Sequence, residues 1–473
     1  MENLKEKLDR ILYPKVVAVV GAKKDTDYRW LVCQGTLKDG KVYAVNIDRS
    51  EWPGAEALGF TNVPSLLDIP EDVDYVIVTV PDKVTPVIMK DIVAKRAGGV
   101  HFYTAGFSET GTPEGMELEG RLIKMATDAQ IPLLGPNCLG IYHPKVGLRQ
   151  SPDQVSGDGG SFGYLSQSGT QAIGFSMHAT ASGLSISKSI SFGNGGMLDC
   201  PDLLEYLAQD EETEIIGMYL EGLRDARRLF KTLKAAAREK PVLVWKVGLT
   251  EDSARAAASH TGSQSPPEAL WDALMRQCGA VGIRNVEEMV DTAKALLHLP
   301  PLPGDRAALL AVSGGHASEM TEAFSRAGFR VPAITEASFA EIASYTSLTG
   351  GSFHNPFEGP SIRSEENFFR TLSVLEKDPN IDFIALEVMA GANARAQAAL
   401  TSRLESVKKA QAQFHKPLAV VFNVSNPLAV VDVNKLARDA LEEGTVAFWG
   451  MERAARALHN ALDYHRQQAW LYS

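Results

Sequence analysis

Short runs of β-branched and other apolar residues alternate, along nearly the whole chain, with helix-length segments in which apolar positions recur every three or four residues. Strands covered on both faces read as continuous apolar runs, so this alternation predicts βα units building parallel sheets. Three blocks emerge. In the first, 8–146, the strand candidates are 16–20, 42–47, 75–80, 99–103 and 132–134, separated by turn chemistry such as Pro53-Gly54 and Gly111-Thr112-Pro113. The second, 155–298, opens on Ser156-Gly157-Asp158-Gly159-Gly160 and carries candidates at 162–165, 186–191, 215–220 and 242–247. Leu299-Pro300-Pro301-Leu302-Pro303-Gly304 is a linker, because successive prolines break both helix and sheet. The third block, 304–473, repeats the alternation at 307–312, 383–388 and 418–422 and closes on an amphipathic helix near 451–464. No short-period repeat or low-complexity tract interrupts the pattern.

Length agrees with three blocks: 473 residues exceed what one core holds, at about 100–200 residues per domain. Charge narrows the ligands. With Lys+Arg 47 against Asp+Glu 58 the net charge is -11, which argues against generic binding to nucleic acid or anionic membranes. A polyanionic ligand must be held by local groups. The four cysteines, Cys33, Cys138, Cys200 and Cys278, form no CxxC pair and no metal-ligand spacing, so a reduced, cytoplasmic setting without a metal centre is expected. The start, Met1-Glu2-Asn3-Leu4-Lys5-Glu6-Lys7, lacks the apolar core of a signal peptide, and no apolar run approaches the ~20 residues that span a bilayer.

Candidate chemistry gathers where strands end, the edge at which open parallel sheets bind ligands. The first strand runs into Gly21-Ala22-Lys23-Lys24-Asp25-Thr26-Asp27-Tyr28-Arg29, where a dinucleotide-binding turn would read G-x-G-x-x-G; only the first glycine is present. That disfavours a nicotinamide oxidoreductase, but leaves a turn with cations for a nucleotide-bearing ligand. Val80-Pro81-Asp82-Lys83, Ala105-Gly106-Phe107-Ser108-Glu109-Thr110-Gly111 and Gly135-Pro136-Asn137-Cys138-Leu139-Gly140 follow later strands. Asn137 offers donors and an acceptor, and Cys138 reads either as a reactive thiol or as packing. In the second block Leu165-Ser166-Gln167-Ser168-Gly169-Thr170-Gln171 brings hydroxyls and unpaired N–H groups to a helix start, which is either an anion site or a simple cap. Ser191-Phe192-Gly193-Asn194-Gly195-Gly196-Met197-Leu198-Asp199 is a further glycine-rich strand end, and Glu221 closes the strand 215–220. Finally, Ala256-Ala257-Ala258-Ser259-His260-Thr261-Gly262-Ser263 sets one imidazole among residues too small to shield it. Neutral imidazole can carry a phosphoryl group, and a carboxylate such as Glu221 can fix its tautomer.

Ser259-His260-Thr261-Gly262-Ser263, Gly135-Pro136-Asn137-Cys138-Leu139-Gly140, Ser166-Gln167-Ser168-Gly169 and Ala105-Gly106-Phe107-Ser108-Glu109 together resemble the α subunit of NDP-forming acyl-CoA synthetases, over nearly the whole chain. The resemblance implies an α/β protein of three successive parallel-sheet domains, a Rossmann-like CoA-binding domain followed by two flavodoxin-like domains. It implies interconversion of acyl-CoA, phosphate and ADP with free acid, CoA and ATP, through an acyl phosphate and a phosphohistidine. By it, His260 is the phosphorylated residue and Glu221 orients it; Ser166, Ser168, Gly169 and Thr170 receive the phosphate; Gly21, Lys23, Asn46, Val80, Pro81, Asn137 and Cys138 bind CoA. Nothing in the sequence resembles the ATP-grasp module of that family, so ATP/ADP and Mg are expected on a β subunit within a hetero-oligomer. The sequence departs from the family at three loops: Gly21-Ala22-Lys23 where Gly-Ala-Ser is usual, Ser313-Gly314-Gly315-His316-Ala317 in place of a more glycine-rich turn, and Asn355-Pro356-Phe357-Glu358 in place of Asn-Pro-Val-Asp. The alternative is a non-catalytic CoA-binding or regulatory protein of the same fold.

Overall fold

The structure is a computed structural model that describes residues 4–255, 266–346, 352–391, 393–424 and 432–472. The chain forms two compact units, 1–180 with 185–284, and 181–184 with 285–473. In the first unit, β1 (Val16–Val20), β2 (Lys41–Val45), β3 (Thr61–Val63), β4 (Tyr75–Val78), β5 (Val100–Phe102) and β6 (Leu133–Leu134) make a parallel sheet in the order β3-β2-β1-β4-β5-β6. This is the Rossmann order. Every residue of β1, Val-Val-Ala-Val-Val, is buried, as a central parallel strand covered on both faces requires.

The second sheet of the same unit contains β7 (Gly140–Tyr142), β8 (Phe162–Ser166), β9 (Ile186–Ser191), β10 (Ile215–Leu220), β11 (Val242–Lys246) and β12 (Val281–Ile283), ordered β12-β11-β10-β8-β9-β7. Leaving β7 aside, this is the flavodoxin order; β7 joins the edge antiparallel to β9. The two sheets share one apolar cluster, in which Val17, Val19 and Ile77 of the first meet Leu165, Ile190 and Met218 of the second. The segment from β6 to β7 runs from one sheet edge to the other and carries the Asn137 turn between them.

The second unit has one parallel sheet, β13 (Ala307–Ala311), β14 (Phe357–Glu358), β15 (Phe383–Ala390), β16 (Leu418–Val424) and β17 (Ala447–Trp449), in the order β14-β13-β15-β16-β17. It too is a flavodoxin order. The helices Val286–His298 and Met451–Tyr472 pack together within this unit, where Arg453 is ion-paired to the buried Asp291 at 2.7 Å. Among the described residues, no helix is long and apolar enough to cross a membrane.

Candidate active site

Each sheet of the first unit has one place where consecutive crossovers leave in opposite directions, between β1 and β4 and between β8 and β10, and a cleft opens at each. The first has a volume of about 560 Å³ and is walled by Gly21, Lys23, Asn46, Val80, Pro81 and Asn137, with Tyr103 and Thr104 beside them. Six of the seven residues expected to meet CoA are therefore in one wall. Gly21 has φ +88°, and a Cβ there would lie 2.7 Å from Val80 Cγ1, so the two strand ends close on each other only because this residue has no side chain. Asn46 donates to Ala22 O at 3.0 Å and accepts from Asp48 N, which fixes the turn after β1. Lys23 sits 3.5 Å from Asp25 in an exposed pair that holds it weakly. Cys138 does not join the wall: it is 3% exposed, its thiol faces Phe102 O, and burial pushes its pKa up to about 12.

The second cleft, of about 190 Å³, is walled by Gln167, Ser168, Gly169, Glu221 and Asn137, with Arg224, Asn194 and Glu109 around them. Tyr219 of β10 lies opposite Ser166 of β8, so the turns that follow those strands are neighbours. Gln167 ties them together, its Oε1 accepting from Glu221 N at 2.5 Å and Gly222 N at 2.9 Å. Lys246, at the end of β11, donates to Glu221 O at 2.9 Å; burial pushes its pKa down to about 8, against the pull of the Glu221 carboxylate. Ser168 and Gly169 open the helix Gly169–Ala181, and Ser168 Oγ accepts from Gln171 N. Ser166 is fully buried and donates to Ser168 O at 2.7 Å, which makes it a brace beneath the turn; Thr170 is exposed and outside the cleft wall. His260 and its neighbours 256–265 lie outside the described residues.

Asn137 belongs to both walls. Its φ is +56°, a conformation that asparagine tolerates better than most residues, and its N–H donates to Thr104 O. From the other side the Ser191–Asp199 turn docks on the same loop, with Asn194 N donating to Pro136 O and Gly196 N to Gly135 O, both at 3.0 Å.

Residues 15–144 match the model of the CoA binding domain, and 159–296 that of the succinyl-CoA ligase like flavodoxin domain. The sequence is 35% identical over 379 residues to acetate–CoA ligase (ADP-forming) I of Archaeoglobus fulgidus, covering 80% of this chain and 54% of that one. It is 32% identical over 381 residues to acetate–CoA ligase (ADP-forming) II subunit alpha of Pyrococcus furiosus, covering 80% of this chain and 81% of that one. The chain belongs to the NDP-forming acyl-CoA synthetase family. Its fold agrees over almost its whole length with dinucleotide-forming acetyl-coenzyme A synthetase 1 of Candidatus Korarchaeum cryptofilum, solved with phosphate and ADP, at a TM-score of 0.82, 27% identity and 98% coverage of both chains. The match to the Archaeoglobus synthetase spans about half of that protein.

In this chain the second cleft also contains residues that the sequence motifs did not single out as site residues. Gln167, Asn194 and Glu109 stand in strand-end loops visible in the sequence, so their position was available as a signal. Arg224 stands four residues beyond the end of β10, in a segment without a motif, and its partner Glu119 lies in the middle of the helix Pro113–Asp128. Their pairing spans 105 residues and leaves no local trace.

Proposed function

We propose that this chain is the CoA-binding, phosphohistidine-bearing subunit of an ADP-forming acyl-CoA synthetase, acting on a small carboxylic acid. The observation that carries the reading is Asn137, one residue in the walls of two clefts. A thiol ester forms only if the CoA sulfur meets the acyl phosphate away from water, and a shared wall brings those two ligands together. In this reading CoA lies along Gly21, Lys23, Asn46, Val80 and Pro81, with Cys138 packed beneath the Asn137 turn. The phosphoryl group rests on Ser168 and Gly169 at the amino end of their helix, with Ser166 bracing that turn and Thr170 in the helix's first turn; fixed N–H dipoles stabilise its charge without a net positive protein. His260 is the nucleophile, and Glu221 orients it. The Pyrococcus relative is named as an α subunit, which supports a hetero-oligomer in which an ATP-grasp β subunit supplies ATP/ADP and Mg.

The test is direct phosphorylation. The full chain incubated with radiolabelled acetyl phosphate is expected to acquire an acid-labile, base-stable label. His260→Ala is expected to abolish the label while CoA affinity by calorimetry changes less than twofold. Undiminished label in that variant ends the assignment, and a wild-type chain that binds CoA but never takes label leaves the non-catalytic alternative.

A further inference from the structure

Among the described residues, the wall of the second cleft contains two carboxylates, Glu109 and Glu221, and a single cation, Arg224. Glu109 is met locally, by the N–H groups of Gly106 and Phe107 and by the Asn194 amide. Arg224 is anchored from behind. Its Nη2 donates to Glu119 Oε1 at 2.8 Å, and the Glu119 side chain is 4% exposed whereas that of Arg224 is 44% exposed. The other Glu119 oxygen accepts from Ser108 N at 3.2 Å, Ser108 Oγ at 2.6 Å and Asn194 Nδ2 at 2.8 Å. Burial works against this carboxylate, but the hydrogen bonds from Ser108, Asn194 and Arg224 overcome it and hold Glu119 below the usual range. Glu119 is thus ionised at neutral pH.

A guanidinium is a planar fork of five donors, and a carboxylate that fixes one arm leaves the others for a second oxyanion. A phosphoryl group entering the cleft meets backbone dipoles at Ser168–Gly169, and a full charge at Arg224 alone. We propose that Arg224 binds the phosphoryl oxygens in this cleft and that Glu119 is the positioning residue that aims it. The proposal rests on the phosphotransfer reading above and adds to it the group that recognises the anion. When an acyl phosphate phosphorylates the chain, a nitrogen–phosphorus bond forms, the bond between phosphorus and the acyl oxygen breaks, and a carboxylate leaves. Arg224 takes no proton; it acts by charge and by its donors.

The labelling reaction with acetyl phosphate tests this in the full chain, with inorganic phosphate and acetate as competing anions. Arg224→Met is expected to raise both the KM for acetyl phosphate and the inhibition constant of phosphate by roughly tenfold or more, the worth of one charge-assisted hydrogen bond. Arg224→Lys recovers part of the loss, since it keeps the charge but not the fork. Glu119→Gln raises both constants severalfold with Arg224 still present. In all three, the CoA dissociation constant by calorimetry stays within twofold. Unchanged KM and phosphate inhibition in Arg224→Met overturn the proposal, as does a variant that loses inhibition by acetate but not by phosphate. Parallel loss of CoA affinity overturns it too, because that marks a strut. Absence of label in the wild-type chain overturns the phosphotransfer reading beneath it, an outcome distinct from a labelled wild type beside an unaffected Arg224→Met.

Discussion

Glu221 is held by its backbone at both sides: the N–H by Gln167 and the carbonyl by Lys246. Its carboxylate is therefore placed by the chain on both sides, and the Tyr219 hydroxyl interacts with it; a glutamine keeps an acceptor for that hydroxyl. Glu221→Gln is expected to keep the melting temperature within about 2 °C while slowing single-turnover labelling by acetyl phosphate roughly tenfold or more, the cost of a misdirected imidazole. An unchanged rate would reduce Glu221 to a surface acid. That Gly21, Val80, Pro81, Asn137 and Ser168 line the clefts was legible because each stands at or within a few residues of the end of a predicted strand, and strand ends face the ligand edge. Burial is not a local property, and so Cys138 and Ser166, read beside them in the same loops, turn out to be supports with 3% and 0% exposure. Arg224 and Glu119 were illegible for a related reason, since only the folded chain brings a helix-interior acid against a cation 105 residues away.

At the scale of elements, the central strands were legible and, β6 apart, the edges were not. The runs 16–20, 186–191 and 215–220 coincide with β1, β9 and β10, all fully buried; β1 and β10 are apolar throughout, whereas β9 reads Ile-Ser-Lys-Ser-Ile-Ser. β3, β12 and β14 were missed because an edge strand pairs on one side and can be two or three residues long with a polar or glycine position: Thr-Asn-Val, Val-Gly-Ile and Phe-Glu. The element that decides the site is the Ser191–Asp199 turn docked on the Asn137 loop. Gly193 has φ +55°, and a Cβ there would fall 2.3 Å from Asn137 O and 2.4 Å from Pro136 O, backbone atoms that cannot swing away. Gly193→Ala is expected to cost roughly 1–3 kcal/mol, seen as a fall of several degrees in melting temperature. It should also weaken CoA binding, because the displaced loop carries Asn137. Unchanged CoA affinity in a destabilised variant would detach that turn from the ligand.

At the scale of the molecule, the net charge of -11 still leaves a cation in the wall of each cleft, Lys23 in the first and Arg224 in the second, while the opposite ends of the strands contain a separate ionic network. Lys188, fully buried, donates to Asp210 at 2.8 Å and Glu212 at 2.6 Å; Tyr13 donates to Glu212, and Tyr206 to Asp9. His143 lies within this network, its Nδ1 2.9 Å from Leu12 O and its Nε2 3.6 Å from Glu212. Burial pushes His143 down to about 4, Lys188 adding to the effect, and burial alone pushes His101 down to about 3. Both are neutral in the fold and charge near pH 6.5 once unfolded. The unfolded chain then binds more protons than the native one, so stability that is complete above pH 6.5 falls as pH drops toward those folded values, by at most about 1.4 kcal/mol per pH unit for each histidine. Glu212, held at about 2 by its lysine and tyrosine partners against burial, and Glu119 lose their contribution only below their usual carboxylate range, so the interval between pH 6.5 and 4.5 belongs to the histidines. Thermal unfolding at pH 7.5 and 5.0 is expected to show a lower melting temperature in acid, with a smaller difference in His143→Gln. Equal melting temperatures at the two pH values would mean that these rings are solvated and that the junction between the two sheets is looser than its apolar cluster implies.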